Sequence, residues 1–280
     1  MNTIAACLLA AAAKLAETSG SPRLDAEVLL SLATGKTRTH FRAWPEKPLT
    51  REEEIVFQTL LEQRLQGRPI AHITGSREFW SREFLITPDV LIPRPETELL
   101  VELALERILP NQPAHIADLG TGSGAIAITL ALERPKAIVT ALDLSPAALN
   151  IASQNAARLG ADNVRCIASD WFAALPAGER FDLIVSNPPY IAADDPHLAQ
   201  GDLRFEPLSA LAAGQDGLDD IRRIVRQAPA RLKPGGWLLF EHGFDQAEAA
   251  RGLLIAAGFQ AVGSFADLQS HLRMSGGRIA

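Results

Sequence analysis

Cysteine is close to absent from this chain. Cys7 and Cys166 are the only two in 280 residues. They stand far apart without a CxxC pair, and the histidines are scattered. A disulfide framework is excluded and no zinc-ligand pattern is present, so no metal is expected. Long apolar runs are missing as well: none reaches the ~18 residues of a membrane span, and no membrane partner is expected. The run from Ile4 to Ala13 has the length of a signal-peptide core, but it lacks a basic leader, and Lys14 and Glu17 follow at helical spacing. It reads as an amphipathic helix of a cytoplasmic protein. A basic excess is also lacking. The net charge is −6, the wrong sign for a general nucleic-acid surface, so no stable nucleic-acid binding is expected. One local exception holds Lys36, Arg38, Arg42, Lys47 and Arg51 with Glu46 as its only acid. It reads as a solvated loop, with a partner-docking surface as the other reading. Tyrosine occurs once, at Tyr190.

What is present is a globular composition, 47% hydrophobic, with length for one large domain and a small one. The first ~75 residues read as a small helical bundle. Ser21-Pro22 is a cap followed by proline in the first turn, and Gly35 ends that helix. Leu24, Val28, Leu29 and Leu32 mark its expected apolar face. Thr50-Arg51-Glu52-Glu53 is a capping box, followed by Ile55, Val56, Leu60, Leu61 and Leu65. Phe79-Trp80 and Phe84-Leu85-Ile86 read as short strands joined by a turn at Ser81-Arg82-Glu83. Ile92-Pro93-Arg94-Pro95 is forced into an extended connector by its prolines. The expected domains are therefore 1–75, a hairpin and connector at 76–95, and 96–280.

From about residue 96 the pattern alternates. Strands are expected at His115–Leu119, Ala137–Leu142, Val164–Ala168, Phe181–Ser186 and Trp237–Glu241, with helices at Glu98–Leu109, from Gly124, at Pro146–Leu159, near Leu218–Leu232 and at Gln246–Ala257. Terminal segments near Ala261–Phe265 and Leu272–Ile279 close the chain. This alternation predicts an α/β fold with a mostly parallel sheet covered on both faces.

Two stretches carry chemistry. Ile116-Ala117-Asp118-Leu119-Gly120-Thr121-Gly122-Ser123-Gly124 runs from strand through glycine turn into helix. Three glycines in five residues let the backbone approach a ligand, and the helix start offers free N–H groups. Gly120, Gly122 and Ala125 also satisfy the loose dinucleotide fingerprint, and Asp143 at the end of the next strand suits ribose hydroxyls of either cofactor. NAD and S-adenosylmethionine both stay open on this pair. Three details favour the second: glycine at 124, Asp118 where a cationic sulfonium or amino group can sit, and Asp170-Trp171, an acid for an adenine amino group beside a ring for the base. Each has a plainer reading, with Asp118 capping the loop and Trp171 in the core.

The second stretch is Asn187-Pro188-Pro189-Tyr190. Two prolines cannot continue a central strand, so a buried strand ends at Ser186 in a stiff turn holding an amide and a ring at the ligand-binding edge. With the glycine turn at this spacing, the chain resembles Rossmann-like methyltransferases that modify amide or exocyclic amino nitrogens. Gly67-Arg68-Pro69-Ile70-Ala71-His72-Ile73-Thr74-Gly75, Arg77-Glu78-Phe79-Trp80 and Val90-Leu91-Ile92-Pro93-Arg94-Pro95-Glu96-Thr97-Glu98 narrow this. So do Ser21-Pro22-Arg23-Leu24-Asp25-Ala26-Glu27, Arg204-Phe205-Glu206-Pro207 and Asp216-Gly217-Leu218-Asp219. All are similar to the peptide chain release factor N5-glutamine methyltransferase family, over almost the whole chain.

The resemblance implies a Rossmann-like class I methyltransferase domain with a small N-terminal helical domain joined by a β-hairpin connector. It implies S-adenosyl-L-methionine as cofactor, contacted by Gly120, Thr121, Gly122, Ser123, Gly124, Asp143, Trp171 and Asn187. It implies class I peptide chain release factors as protein substrate, with the glutamine of their Gly-Gly-Gln motif held by Asn187, Pro188, Pro189 and Tyr190. An amide nitrogen is a poor nucleophile because its lone pair is delocalised. In-line positioning can supply roughly 7–11 kcal/mol of the barrier. The Asn187 oxygen and the Pro188 carbonyl are expected to accept the two amide hydrogens, with Tyr190 packed on the amide plane. An adenine-N6 nucleic-acid methyltransferase, a glutamine methyltransferase for a ribosomal protein and a non-catalytic nucleotide-binding module are the competing readings.

Overall fold

The computed structural model describes residues 2–280 and divides into two compact units. The first runs to Ser76 and takes in Ala199–Phe205 from the long loop that follows residue 190. Its helices are α1 (Ile4–Leu15), α2 (Pro22–Thr34), α3 (Arg38–Ala43), α4 (Arg51–Leu65) and α5 (Ile70–Thr74). The α4 capping box is present: Thr50 Oγ1 accepts from the Glu53 N–H at 3.2 Å while Glu53 Oε2 accepts from the Thr50 N–H at 2.8 Å, a feature worth about 1 kcal/mol. Gly35 closes α2 at φ +67°. Ser21 occupies the cap position without capping; its hydroxyl donates to Asp25.

Of the apolar residues named on α2 and α4, Leu29 and Leu61 are buried and Leu60 and Leu65 pack against the core, but others face outward. Leu24, Leu32, Ile55 and Val56 are 42–58% exposed, while Ala26, Leu29, Leu30, Phe57 and Leu61 form the core with Leu8 and Leu15. The reason is a buried ion pair on the inward side. Arg64 donates from Nε to Asp25 at 2.8 Å and from Nη1 to Asp202 at 3.0 Å, so this charged cluster also ties the 199–205 segment into the unit. Of the cations in the basic stretch, Lys36 is paired with Glu53 and Arg38 with Glu27. Acids supplied by α2 and α4 thus pair two of its five cations.

The second unit begins at Arg77, within the hairpin of β1 (Ser76–Phe79) and β2 (Arg82–Leu85). Its turn falls one residue earlier than expected, at Trp80 and Ser81, both with positive φ, the geometry that matches strand twist in a two-residue loop. The connector then runs past Glu206, which accepts from the Ile92 N–H at 2.9 Å and pairs with Arg94.

The rest alternates α6 (Glu98–Arg107), β3 (Ala114–Leu119), α7 (Ala125–Glu133), β4 (Ala137–Asp143), α8 (Pro146–Leu159), β5 (Val164–Ala168), β6 (Phe181–Ser186), α9 (Asp219–Gln227), β7 (Leu232–Glu241), α10 (Ala247–Ala256), β8 (Gln260–Ala266) and β9 (Leu272–Arg278). The sheet has seven strands in the order β5-β4-β3-β6-β7-β9-β8. β3 to β7 are parallel, and β9 is inserted antiparallel between β7 and β8. The glycine at 276 permits that insertion, because a Cβ there would lie 2.6 Å from the Leu238 carbonyl oxygen. The strand order reverses direction between β3 and β6, the switch point where ligands bind at the carboxyl ends of parallel strands.

Candidate active site

Register builds the site. Leu119 at the end of β3 pairs with Leu142 on β4 and Ser186 on β6, and Ser186 pairs with Phe240 on β7. One residue further along each strand come Gly120, Asp143, Asn187 and Glu241, side by side along one edge. Ser186 Oγ donates to the Leu119 carbonyl at 2.8 Å and locks this edge between the two central strands.

The glycine turn curls over the end of β4: the N–H groups of Gly120 and Thr121 donate to the Leu142 carbonyl at 2.8 and 2.9 Å. Gly120, Gly122 and Gly124 have φ of +70, +55 and +83°, which disfavour any side chain. Asp143 braces the turn, accepting from the Gly122 N–H at 2.9 Å on one oxygen and from the Ser145 N–H at 2.8 Å on the other. Each of its oxygens has a second lone pair left over, and the residue lines the cavity. Asp118 is completely buried below; its Oδ2 accepts from Thr121 Oγ1 at 2.7 Å and the Ala127 N–H at 3.2 Å, and its Oδ1 has no partner. Burial pushes its carboxyl up to about 7 against the lowering effect of those two bonds.

A cavity of about 550 Å³ opens at this edge, walled by Gly120, Gly122, Asp143, Trp171, Asn187 and Pro189 among others. With Asp170, which also lines it, seven of the residues expected at a site thus come together. Thr121 and Ser123 turn their side chains into the buried body of the turn. Gly124 faces α7 and α8, where a Cβ would meet Ile128 Cδ1 at 2.6 Å and Ala152 at 3.2 Å, so it serves close packing. Trp171, at φ +50°, packs on the sheet core, as its plainer reading has it, and also lines the cavity beside Gly120, 3.5 Å from where a Cβ would stand. Asp170 is paired with Arg223 at 2.6 Å.

The amide turn has its own support. Asn187 Nδ2 donates to Thr97 Oγ1 at 3.2 Å, Thr97 Oγ1 donates to Glu241 Oε2 at 2.7 Å, and the Tyr190 hydroxyl donates to Glu241 Oε1 at 2.9 Å. Glu241 is 1% exposed and its carboxyl is raised by burial, the bonds from Thr97 and Tyr190 pulling it back. Burial and then the Glu241 charge hold the Tyr190 phenol well above 10, so it stays a donor. Sequence reasoning missed Thr97, Glu241 and Arg223. The available signal for Glu241 was its position, an acid ending an otherwise apolar strand.

Among the described residues no cluster of acids, histidines or cysteines is arranged to hold a metal. No helix among them is long and apolar enough to cross a membrane.

A mostly parallel sheet with its glycine turn and amide turn at one switch point defines a Rossmann-like class I methyltransferase. Residues 6–75 match the PrmC N-terminal domain family and residues 96–201 the methyltransferase small domain family. The chain is 54% identical to the release factor glutamine methyltransferase of Bordetella pertussis, over 92% of this chain and 95% of that one. It is 50% identical to that of Escherichia coli, over 94% of each. Among solved structures, a methyltransferase from Pyrococcus furiosus is similar in fold, with a TM-score of 0.54 at 18% identity over 79% of this chain and 98% of that one. So is the 16S rRNA methyltransferase RsmC of T. thermophilus in complex with AdoMet and guanosine, with a TM-score of 0.53 at 22% identity over 73% of this chain and 50% of that one. The chain belongs to the release factor glutamine methyltransferase family.

Proposed function

We propose that this chain transfers the methyl group of S-adenosylmethionine to the side-chain amide nitrogen of a release-factor glutamine, the one in the Gly-Gly-Gln motif of class I factors, in the cytoplasm. The observation that carries this is the shared wall: Asn187 and Pro189 of the amide turn border the same cavity as Gly120, Gly122 and Asp143.

The cavity fits such a cofactor. Gly122 has no atom within 4 Å of where a Cβ would stand, so its backbone is open to a ligand. Asp143 presents free lone pairs to ribose hydroxyls, and Trp171 offers a ring edge or face to a base. When bound, the cofactor supplies a methyl group on a cationic sulfonium.

The chain's own residues then prepare the amide. The Asn187 oxygen and the Pro188 carbonyl accept its two hydrogens and fix the nitrogen. Both acceptors gain strength as positive charge develops there, so they favour the transition state over the ground state. Tyr190, tied by its hydroxyl to Glu241, presents its ring to the amide plane and excludes water. No strong base is required, because a methylated, protonated amide is acidic enough to give its proton to solvent water after transfer. The family membership and the acidic charge both support a protein amide over an adenine as acceptor.

Incubation with methyl-labelled S-adenosylmethionine and, separately, a release factor, ribosomal proteins and DNA tests this. Label on the factor's Gly-Gly-Gln glutamine, lost in Asn187→Ala, is expected; label on DNA or ribosomal protein alone overturns it.

A further inference from the structure

We infer that Thr97 and Glu241 are positioning residues that set which end of the Asn187 side chain faces the substrate. This rests on the reading of Asn187 as the acceptor for the glutamine amide.

The protons available along this chain of bonds fix the orientation. An asparagine side chain is nearly symmetrical in shape, and rotating it by half a turn exchanges an acceptor oxygen for a donor NH2. With the oxygen toward the glutamine, Asn187 accepts an amide hydrogen. With the NH2 there, it offers a hydrogen to a nitrogen that also carries hydrogens, and the site is blocked. The turn itself does not decide between these, since proline rings fix the backbone and not the side-chain amide.

The decision comes from behind. Glu241 is enclosed at the carboxyl end of β7 and accepts on both oxygens, one from Tyr190 and one from Thr97. A threonine hydroxyl has one proton. Thr97 gives it to Glu241, so toward Asn187 its oxygen can only accept, and Asn187 must present Nδ2. The Oδ1 atom is thereby directed to the other side. A carboxylate, which only accepts, thus dictates the polarity of two successive hydrogen bonds. Thr97 is 4% exposed, so water has little access to supply an alternative donor.

Three variants test this, each measured for kcat, substrate KM, cofactor Kd and Tm. Thr97→Val removes the hydroxyl at constant shape. Glu241→Gln replaces a pure acceptor by a group that can donate to Thr97 and reverse the chain. Thr97→Ser keeps the hydroxyl. Thr97→Val and Glu241→Gln are expected to lower kcat on the order of 10–100-fold, the effect of misdirecting one or two hydrogen bonds, with cofactor Kd within about threefold. Thr97→Ser is expected to restore kcat to within about threefold of wild type. In the Asn187→Ala background, Thr97→Val should have no further effect on kcat, because it acts through Asn187. Wild-type kcat in Thr97→Val or Glu241→Gln, or full additivity with Asn187→Ala, overturns the inference. Should Thr97→Val fail to fold, the near-isosteric Glu241→Gln carries the test. Asn187→Ala in the same assay separates the two ideas: if it remains active, the reading of the site itself fails.

Discussion

The glycine turn and the amide turn leave adjacent strands at one sheet edge, yet they are built by opposite means. The glycine turn is made of permissive residues immobilised from outside, by the Leu142 carbonyl and the carboxyls of Asp118 and Asp143. The amide turn is stiff by covalent structure, because Pro188 and Pro189 fix the backbone. It needs outside help only for its side chains, Asn187 through Thr97 and Tyr190 through Glu241. The cofactor side is therefore shaped by backbone and sensitive to any added Cβ. The amide side is shaped by side chains and sensitive to the loss of a single hydroxyl or carboxylate.

Breaking the two turns separately gives the largest expected effects. Asn187→Ala should lower kcat by roughly 10²–10³, the scale of losing one preorganised transition-state hydrogen bond, and change cofactor Kd by less than about tenfold. Gly122→Val should do the reverse. It puts a β-branched side chain at φ +55° on the open face of the turn, and cofactor Kd measured by calorimetry should rise about 100-fold. Equal losses of cofactor affinity in both variants would erase the distinction.

The next effect is on stability within the glycine turn. Gly124→Ala combines φ +83° with a Cβ 3.3 Å from the Ala152 Cα, which cannot swing aside. About 2 kcal/mol is expected, seen as a drop of roughly 4–8 °C in Tm, with cofactor Kd much less affected than in Gly122→Val. A Gly124→Ala protein with wild-type Tm would show that α7 and α8 are not in close contact there.

The same contrast explains what was legible in the sequence. The alternating strands and helices of the second unit were readable because parallel strands are nearly continuous apolar runs broken by glycine and proline. The turn residues were readable because backbone demands select glycine and proline, which announce themselves. The inward sides of α2 and α4 were only partly so: Leu29 and Leu61 are inside, while Leu24, Leu32, Ile55 and Val56 are not. Asp25, Glu27 and Arg64 occupy the inward side, and charge there defeats a rule that places charge outside. Thr97 and Glu241 were unreadable for a different reason. They lie 90 and 54 residues from Asn187 in the chain; the register of β6 with β7 brings Glu241 beside it, and the start of α6 brings Thr97.

The smallest effect is expected beneath the two turns. Each turn rests on one enclosed carboxyl, but both oxygens of Glu241 are bonded while Asp118 leaves Oδ1 bare. Burial raises the Asp118 carboxyl from 3.8 to about 7. The folded protein therefore retains a proton that the unfolded chain releases in this range. Stability falls as pH rises between these two values and levels off above the folded one. From pH 6 to pH 8 the loss from this group comes to about 1.4 kcal/mol, or roughly 3 °C in Tm for a chain of this size. Asp118→Asn cannot ionise, so the fall in Tm of the cofactor-free protein over that interval should be smaller by about this amount, whatever the variant's stability at pH 6. An unchanged pH dependence would mean that Asp118 is ionised throughout and that the bonds from Thr121 and Ala127 outweigh its burial. The two turns would then rest on carboxylates of the same kind.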